Sequence, residues 1–217
     1  MKIYVVGSSK NKFLPLDNIR EKFLIDQKHE GDNIDFLNPW YCELTGLYYL
    51  WKHCDDDIVG LEHYRRYFVN NKNQLLSENE IREILHTNDI IAHLSNDIGS
   101  TIYNAPSWCH RDKISMTEIE KRILFCLRYN YPEHQDNLMN MLLQRKHWQG
   151  NMLICKKELL NKYCQWLFED FSIKFENFKP NNIPNRSFGY MSELFLFPFW
   201  CILNNIKVYN CRRMETK

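Results

Sequence analysis

DIVGLEHYRRYF, residues 57–68, places the short apolar run Ile58–Leu61 directly ahead of Glu62, His63, Tyr64, Arg65 and Arg66. An apolar run of this length with no polar alternation reads as a strand buried on both faces. The polar cluster then sits where that strand leaves the core. Two further runs follow the same plan. KIYVV (residues 2–6) ends at Gly7-Ser8-Ser9, and Ile90-Ile91-Ala92 runs into a polar segment.

Helical patterns separate these strands. Asn38-Pro39 opens a helix in which Trp40, Leu44, Leu47, Tyr48 and Trp51 recur at helical spacing, with Asn as N-cap and Pro at the first helical position. Ser77 and Glu80, like Thr117 and Glu120, have the spacing of a capping box. The first predicts a helix to about His86, the second a helix ending near Tyr131-Pro132. Further helices are expected over 133–146, 157–171 and 189–204, with Pro198 kinking or breaking the last. Short strands are expected over 150–155 and 206–209. Residues 11–38 read as mostly loop, and 95–113 as a long loop of the kind that is functional or mobile.

Strands alternating with helices predict a layered α/β fold with a mainly parallel sheet, in a single domain over residues 1–217. Ligands of such sheets bind beyond the carboxyl ends of the strands. No GxGxxG and no GxxxxGK[ST] occurs, so dinucleotide and P-loop chemistry lack support.

The 217 residues are 44% hydrophobic and carry a net charge of +1. That is enough for a core, and it provides no broad field to attract nucleic acid. Anion binding must be local. MKIYVVGSSK lacks the apolar segment of a signal peptide. The longest apolar run, Leu194–Leu203, is about half of the roughly 20 residues that span a bilayer. A cytoplasmic protein is expected, with peripheral contact at the inner membrane face left open. Of the eight cysteines, Cys42, Cys126 and Cys164 sit among apolar residues at helical spacing and no CxxC occurs; reduced core thiols are expected.

His63, Arg65 and Arg66 suit a diphosphate or an anionic sugar, because guanidinium forks match phosphate oxygens. The ordinary alternative is an ion-paired rim with Asp55, Asp56 or Asp57. Glu43 and Glu193 are candidate general bases, and each can equally be a carboxylate complementing a helix dipole. Gly189 would leave room for a sugar beside Glu193. Asn151 is a strand-end cap or a substrate hydrogen-bonder, and His110 in the long loop a ligand-facing group or a solvated loop histidine.

NPWYCELTGLYYLWKH (38–53), DIVGLEHYRRYF, LLSENEIREIL (75–85), NDIIAH (88–93), GNMLICKKELLNKYCQWLF (150–168) and RSFGYMSELFLF (186–197) occur in this order. Together they closely resemble a bacterial family of capsular and exopolysaccharide clusters, filed as a domain of unknown function. Its members look like glycosyltransferases of GT-A type, some linked to galactofuranose transfer. The resemblance implies a nucleotide-diphosphate sugar donor, with uridine diphosphate as the expected carrier, and a glycan or lipid-linked acceptor. It implies donor contacts from His63, Tyr64, Arg65, Arg66 and Asn151, beside Gly7 and Ser8 at the end of the first strand, acceptor or sugar contacts from Arg186 and Ser192, and catalysis by Glu193 or Glu43. His110 is a further acceptor-side candidate from the long loop, a segment that fits the family only loosely. Asn38 and Lys52 also match the family. GT-A enzymes commonly hold a divalent metal through Asp-x-Asp after a central strand, and here that position reads Glu62-His63-Tyr64. Either Glu62 and a remote carboxylate hold Mg²⁺ or Mn²⁺, or cationic side chains replace the metal; the metal-independent version is the expectation. The competing class is a silent nucleotide-sugar or glycan-binding subunit.

Overall fold

The computed structural model describes residues 1–104, 115–149 and 151–216. Its sheet is built on β1 (Lys2–Gly7), which pairs in parallel with β2 (Arg20–Leu24) on one side and β3 (Ile58–His63) on the other. Next to β3 lies β6 (Leu153–Lys156), then β5 (Ile90–Ala92), then β7 (Val208–Asn210). Of these six strands only β6 runs against the rest. The carboxyl ends of β1, β3 and β5 therefore share one edge, as expected of a mainly parallel sheet. A ribbon of β4 (Arg66–Val69) and β8 (Arg212–Glu215) folds back from the end of β3.

Period-two alternation sorts the apolar residues into two layers. Ile3, Ile58, Ile91 and Ile154 pack under α3 (Glu78–Thr87) with Phe68, Ile81 and Leu85. Tyr4, Val6, Val59, Leu61, Leu153 and Cys155 face the larger helical layer. That layer comprises α1 (Asn38–Tyr41), α2 (Leu44–His53), α4 (Ser115–Asn130), α5 (Gln135–Leu142), α6 (Lys157–Cys164), α7 (Ser172–Glu176), α8 (Ser187–Met191) and α9 (Phe197–Leu203). The Ser77 capping box forms as read, with Ser77 N–H donating to Glu80 at 2.9 Å and Glu80 N–H returning to Ser77 Oγ at 3.4 Å. The seven cysteines among the described residues are free, and all but Cys42 are buried. No helix among the described residues is long and apolar enough to cross a membrane.

Several expectations need correction. Residues 20–24 form a strand rather than loop: their polar look hides Arg20, only 5% exposed. The helix opened by Asn38 is broken at Cys42, whose φ is +51°, and Asn38 is its first helical residue, preceded by a 3₁₀ turn over Asp35–Leu37. The helix read from Thr117 begins at Ser115, and the one over 133–146 is confined to Gln135–Leu142 after a turn over Pro132–His134. The two last helical stretches are longer than read. Wide π-type turns over Gln165–Phe171 and Ser192–Leu196 join α6 to α7 and α8 to α9. Pro198 stands at the start of α9, where the wide turn before it accommodates the missing N–H instead of ending the helix. The 150–155 strand is confined to Leu153–Lys156, with Asn151 ahead of it.

Arg20 closes a buried ion pair with Glu62. Nε and Nη2 donate to the carboxylate at 2.7 and 3.2 Å, and Glu62 also accepts the Phe68 N–H at 3.0 Å. Arg20 Nη1 reaches Asp17 and the Leu76 carbonyl. Glu62 lies on the α3 side of β3, opposite His63, so it is not placed to ligate a metal as one sequence alternative had it. Removing one partner of such a pair strands the other charge in the core. Glu62→Gln should therefore lower unfolding stability by about 3 kcal/mol or more, read as a reduced denaturation midpoint at unchanged slope.

Candidate functional site

The stretch that follows β3 turns back within two residues. His63 pairs with Arg66 across a Tyr64-Arg65 turn, and Tyr64 N–H donates to Val6 O at 2.9 Å, tying the turn to the end of β1. Neither turn residue has a positive φ, so no Asn-Gly signature marks this hairpin in the sequence. Strand alternation sends His63 to the helical face opposite Glu62. There it meets a cleft of about 380 Å³ whose walls include Glu43, Arg65, Arg66, Arg186 and Glu193.

Strained backbone frames this cleft. Cys42 (φ +51°), Asn151 (+49°) and Arg186 (+64°) are three of the five non-glycine residues with positive φ among those described. Such conformations cost on the order of 1–3 kcal/mol each and persist only where surrounding structure holds them. Cys42 ends α1 and lets Glu43 stand at the N-cap of α2. Arg186 N–H donates to Pro39 O at 2.7 Å, anchoring α8 to α1. The Asn151 amide donates to Glu43 Oε1 at 3.2 Å and to Gly189 O at 2.9 Å, joining the start of α2 to α8. Asn151 thus positions Glu43.

The electrostatics are set by arginine. Burial first, then the charges of Arg66, Arg65, Arg186 and Arg213, push the His63 pKa down to about 3. His63 is therefore neutral at physiological pH. Its Nδ1 faces the Arg65 backbone N–H at 3.4 Å, which assigns the ring hydrogen to Nε2. Arg66 Nε donates to Glu215 at 3.2 Å. Arg65 is exposed and lies over the Tyr64 ring at 5.2 Å. Arg213, on β8, meets Glu215 at 3.6 Å through Nη2, while its buried Nη1 has no hydrogen-bond partner among the described residues. Burial and then Arg66 lower its hold on its proton, against Glu215 and Glu193. The Cys42 thiol, pushed up to about 12 by burial and then Glu43, is no nucleophile. Three guanidinium groups line the cleft and Arg213 acts on His63 from nearby; with a neutral imidazole and flanking carboxylates, the arrangement has the chemistry to hold an anion beside groups able to act as bases.

The other named residues lie as follows. Gly7 is at the end of β1, where a Cβ would meet Phe13 at 2.8 Å and Tyr64 at 2.9 Å, so close packing requires it. Ser8 is bonded to Asn11 through both N–H and Oγ. Ser192, expected at the acceptor, points into the core, with Oγ 3.2 Å from Tyr163 OH. Glu193 lines the cleft, but it is the seventh residue of a helix that runs on from Ser187 into the π-type turn, so the dipole argument for it fails. Gly189 lines the same cleft as Glu193, and a Cβ there would meet Cys42 and the Tyr41 carbonyl at 3.5 Å, an ordinary contact distance, so helix packing alone does not demand the glycine. Lys52 sits 3.5 Å over the Trp51 ring, and Asn38 donates to Ile25 O, both in structural roles. Arg82 takes Asp57 at 2.7 Å, so the acidic run is no partner of the arginine cluster. His110 lies outside the described residues. Arg213 escaped the sequence reading: in a polar C-terminal segment it looks solvated, and only pairing of β8 with β4 brings it here.

A model of the family described as Domain of unknown function (DUF4422) matches residues 2–205. The chain belongs to that family. Among curated proteins none matches. A solved apo structure of the WbbM bifunctional glycosyltransferase superposes with a TM-score of 0.75 at 22% identity, over all of this chain and 45% of that one. The two share a fold, and this chain spans under half the length of that relative.

The His63 shift has a signed consequence. Between about pH 6.5 and 3 the unfolded chain binds a proton that native His63 refuses, so stability must fall as pH drops through that window. His63→Gln should flatten this decline in denaturant melts across the range.

Proposed function

We propose that the cleft binds a nucleotide-diphosphate sugar and that the protein moves the sugar to a hydroxyl of a glycan or lipid-linked glycan in surface-polysaccharide synthesis. A uridine diphosphate carrier and galactofuranose are the donor features implied by the sequence resemblance. The observation that carries the reading is the convergence of Arg65, Arg66, Arg186 and Arg213 on neutral His63 at the carboxyl ends of β1 and β3, with Glu43 and Glu193 alongside. The fold shared with WbbM supports it.

The chemistry follows from these groups. The acceptor oxygen attacks the anomeric carbon as the bond from that carbon to the diphosphate breaks. The departing electron pair stays on the diphosphate, where guanidinium groups offset the growing charge. Glu193 takes the proton of the attacking hydroxyl; Glu43, held by Asn151, supports that arrangement. The described residues do not offer a site for a divalent metal. Glu62 is occupied by Arg20 and the Phe68 N–H, and no group of three His, Cys, Asp or Glu among the described residues could hold an ion. Metal-independent transfer is the reading adopted.

Arg66→Ala or Arg213→Ala should weaken binding of a nucleoside diphosphate by about 1.5–3 kcal/mol, the scale of a charge-assisted bond, in calorimetric titration. Unchanged affinity in both folded variants would sink the clamp. Glu193→Gln should retain donor binding and lose about 10²-fold or more in transfer rate; near-normal transfer would shift the base to Glu43. Transfer should also persist in excess EDTA. Abolition reversed by Mn²⁺ would replace the cationic account with a metal one.

A further inference from the structure

A second cavity, of about 670 Å³, opens between α5, α9 and the edge strand β7. Its size falls within the roughly 300–1,000 Å³ of small-molecule sites. Its chemistry is unlike that of the arginine cleft. Pro198 and Ile202 of α9 supply an apolar wall, and Trp148 closes one end. Asn137 and Asn140 on α5, with Gln144 just beyond it, follow helical spacing and are exposed along the rim. Asn205 adds a fourth amide. No carboxylate lines it among the described residues, and Lys146 is its single formal charge.

We infer that this groove is a binding site for a neutral oligosaccharide, the part of the acceptor that lies away from the reacting hydroxyl. A sugar ring has an apolar C–H face, which an indole can stack on, and a rim of hydroxyls that both donate and accept. Primary amides match that rim because each offers a carbonyl and an NH₂ group. A nucleotide or a sulfated glycan would require more cations than Lys146, the one that lines the groove among the described residues, and a lipid chain would leave four amides unused. The side chains of Asn137 and Gln144 bond only within their own segment, to His134 and to the Asn140 carbonyl. No other described residue bonds to either side chain.

The groove and the cleft lie at the same edge of the sheet. Leu94 bridges to Trp148, and Gln149 N–H donates to His93 O at 3.0 Å, which fixes this segment at the carboxyl end of β5. That is the sheet edge where β1 and β3 end. Trp148, Asn151 and Glu193 line the same small internal void, and the Trp148 ring stands edge-on to Phe197 at 6.2 Å. A glycan seated against Trp148 therefore lies one short segment away from Asn151 and the carboxylates.

The assignment of this glycan as acceptor rests on the transferase reading; the site itself does not. The test is a titration of isotope-labelled protein with neutral trisaccharides of glucose, of galactose and of N-acetylglucosamine, and separately with uridine diphosphate. Expected is a millimolar or tighter trisaccharide response at the Trp148 indole and along α5, weakened at least tenfold by Trp148→Ala and by Asn140→Ala. Asn140 is exposed, so its variant tests the groove even if Trp148→Ala unfolds. Absence of any trisaccharide response at the indole, or equal affinity in folded Asn140→Ala and Trp148→Ala, overturns the site. Trisaccharide binding with no uridine diphosphate response around Arg65 and Arg66 upholds the groove and removes the transferase reading. The converse pattern removes the groove alone.

Discussion

The parallel pairing of β1 with β3 is the constraint on which the rest of this molecule depends. It runs from Lys2 opposite Val59 to Val6 opposite His63, and the Tyr64 N–H extends it by one more bond to Val6 O. Both strands are buried on both faces, so every side chain along them is committed to one of two layers. A one-residue slip would exchange those layers, moving Glu62 into the helical core and His63 beneath α3. The register thus decides at once that Glu62 serves the fold and His63 serves the cleft.

Two kinds of charge burial result, and they differ in how they are compensated. Glu62 meets Arg20 and a backbone N–H, so the pair is internally satisfied and holds β2, β3 and the turn into β4 together. The arginines around His63 are not neutralised to the same degree. Glu215 pairs with Arg66 and Arg213, yet Arg213 keeps a buried donor with no hydrogen-bond partner among the described residues, and His63 cannot hold a proton near neutral pH. Like charges held close, with strained backbone at Cys42, Asn151 and Arg186, oppose stability. A bound polyanion would relieve that opposition.

Much of this architecture was legible in the residues. Ile58–Leu61, Lys2–Val6 and Ile90–Ala92 read as buried strands because an apolar run too short for a helix has few other folds. The Ser77 capping box was legible because its partners are local. Placing His63, Arg65, Arg66, Glu43, Arg186 and Glu193 in one region came from the family resemblance, and they do share a cleft. Illegible were β2, whose buried Arg20 looks solvated until Glu62 is brought opposite, and the Tyr64-Arg65 hairpin, which lacks a turn signature.

The sequence by itself determined the strand–helix alternation, the free core thiols and the strand end at which polar groups gather, since each depends on neighbours within a few residues. Only the tertiary structure decided that Ser192 faces Tyr163, that Gly189 packs on Cys42, that Asn151 holds Glu43 and that Arg213 joins the cluster. Tyr163 and Ser192 lie 29 positions apart and Glu43 and Asn151 lie 108 apart, and Gly189 is farther still from Cys42. Over such separations no local rule of spacing operates, and sheet register and helix packing alone set which side chains meet.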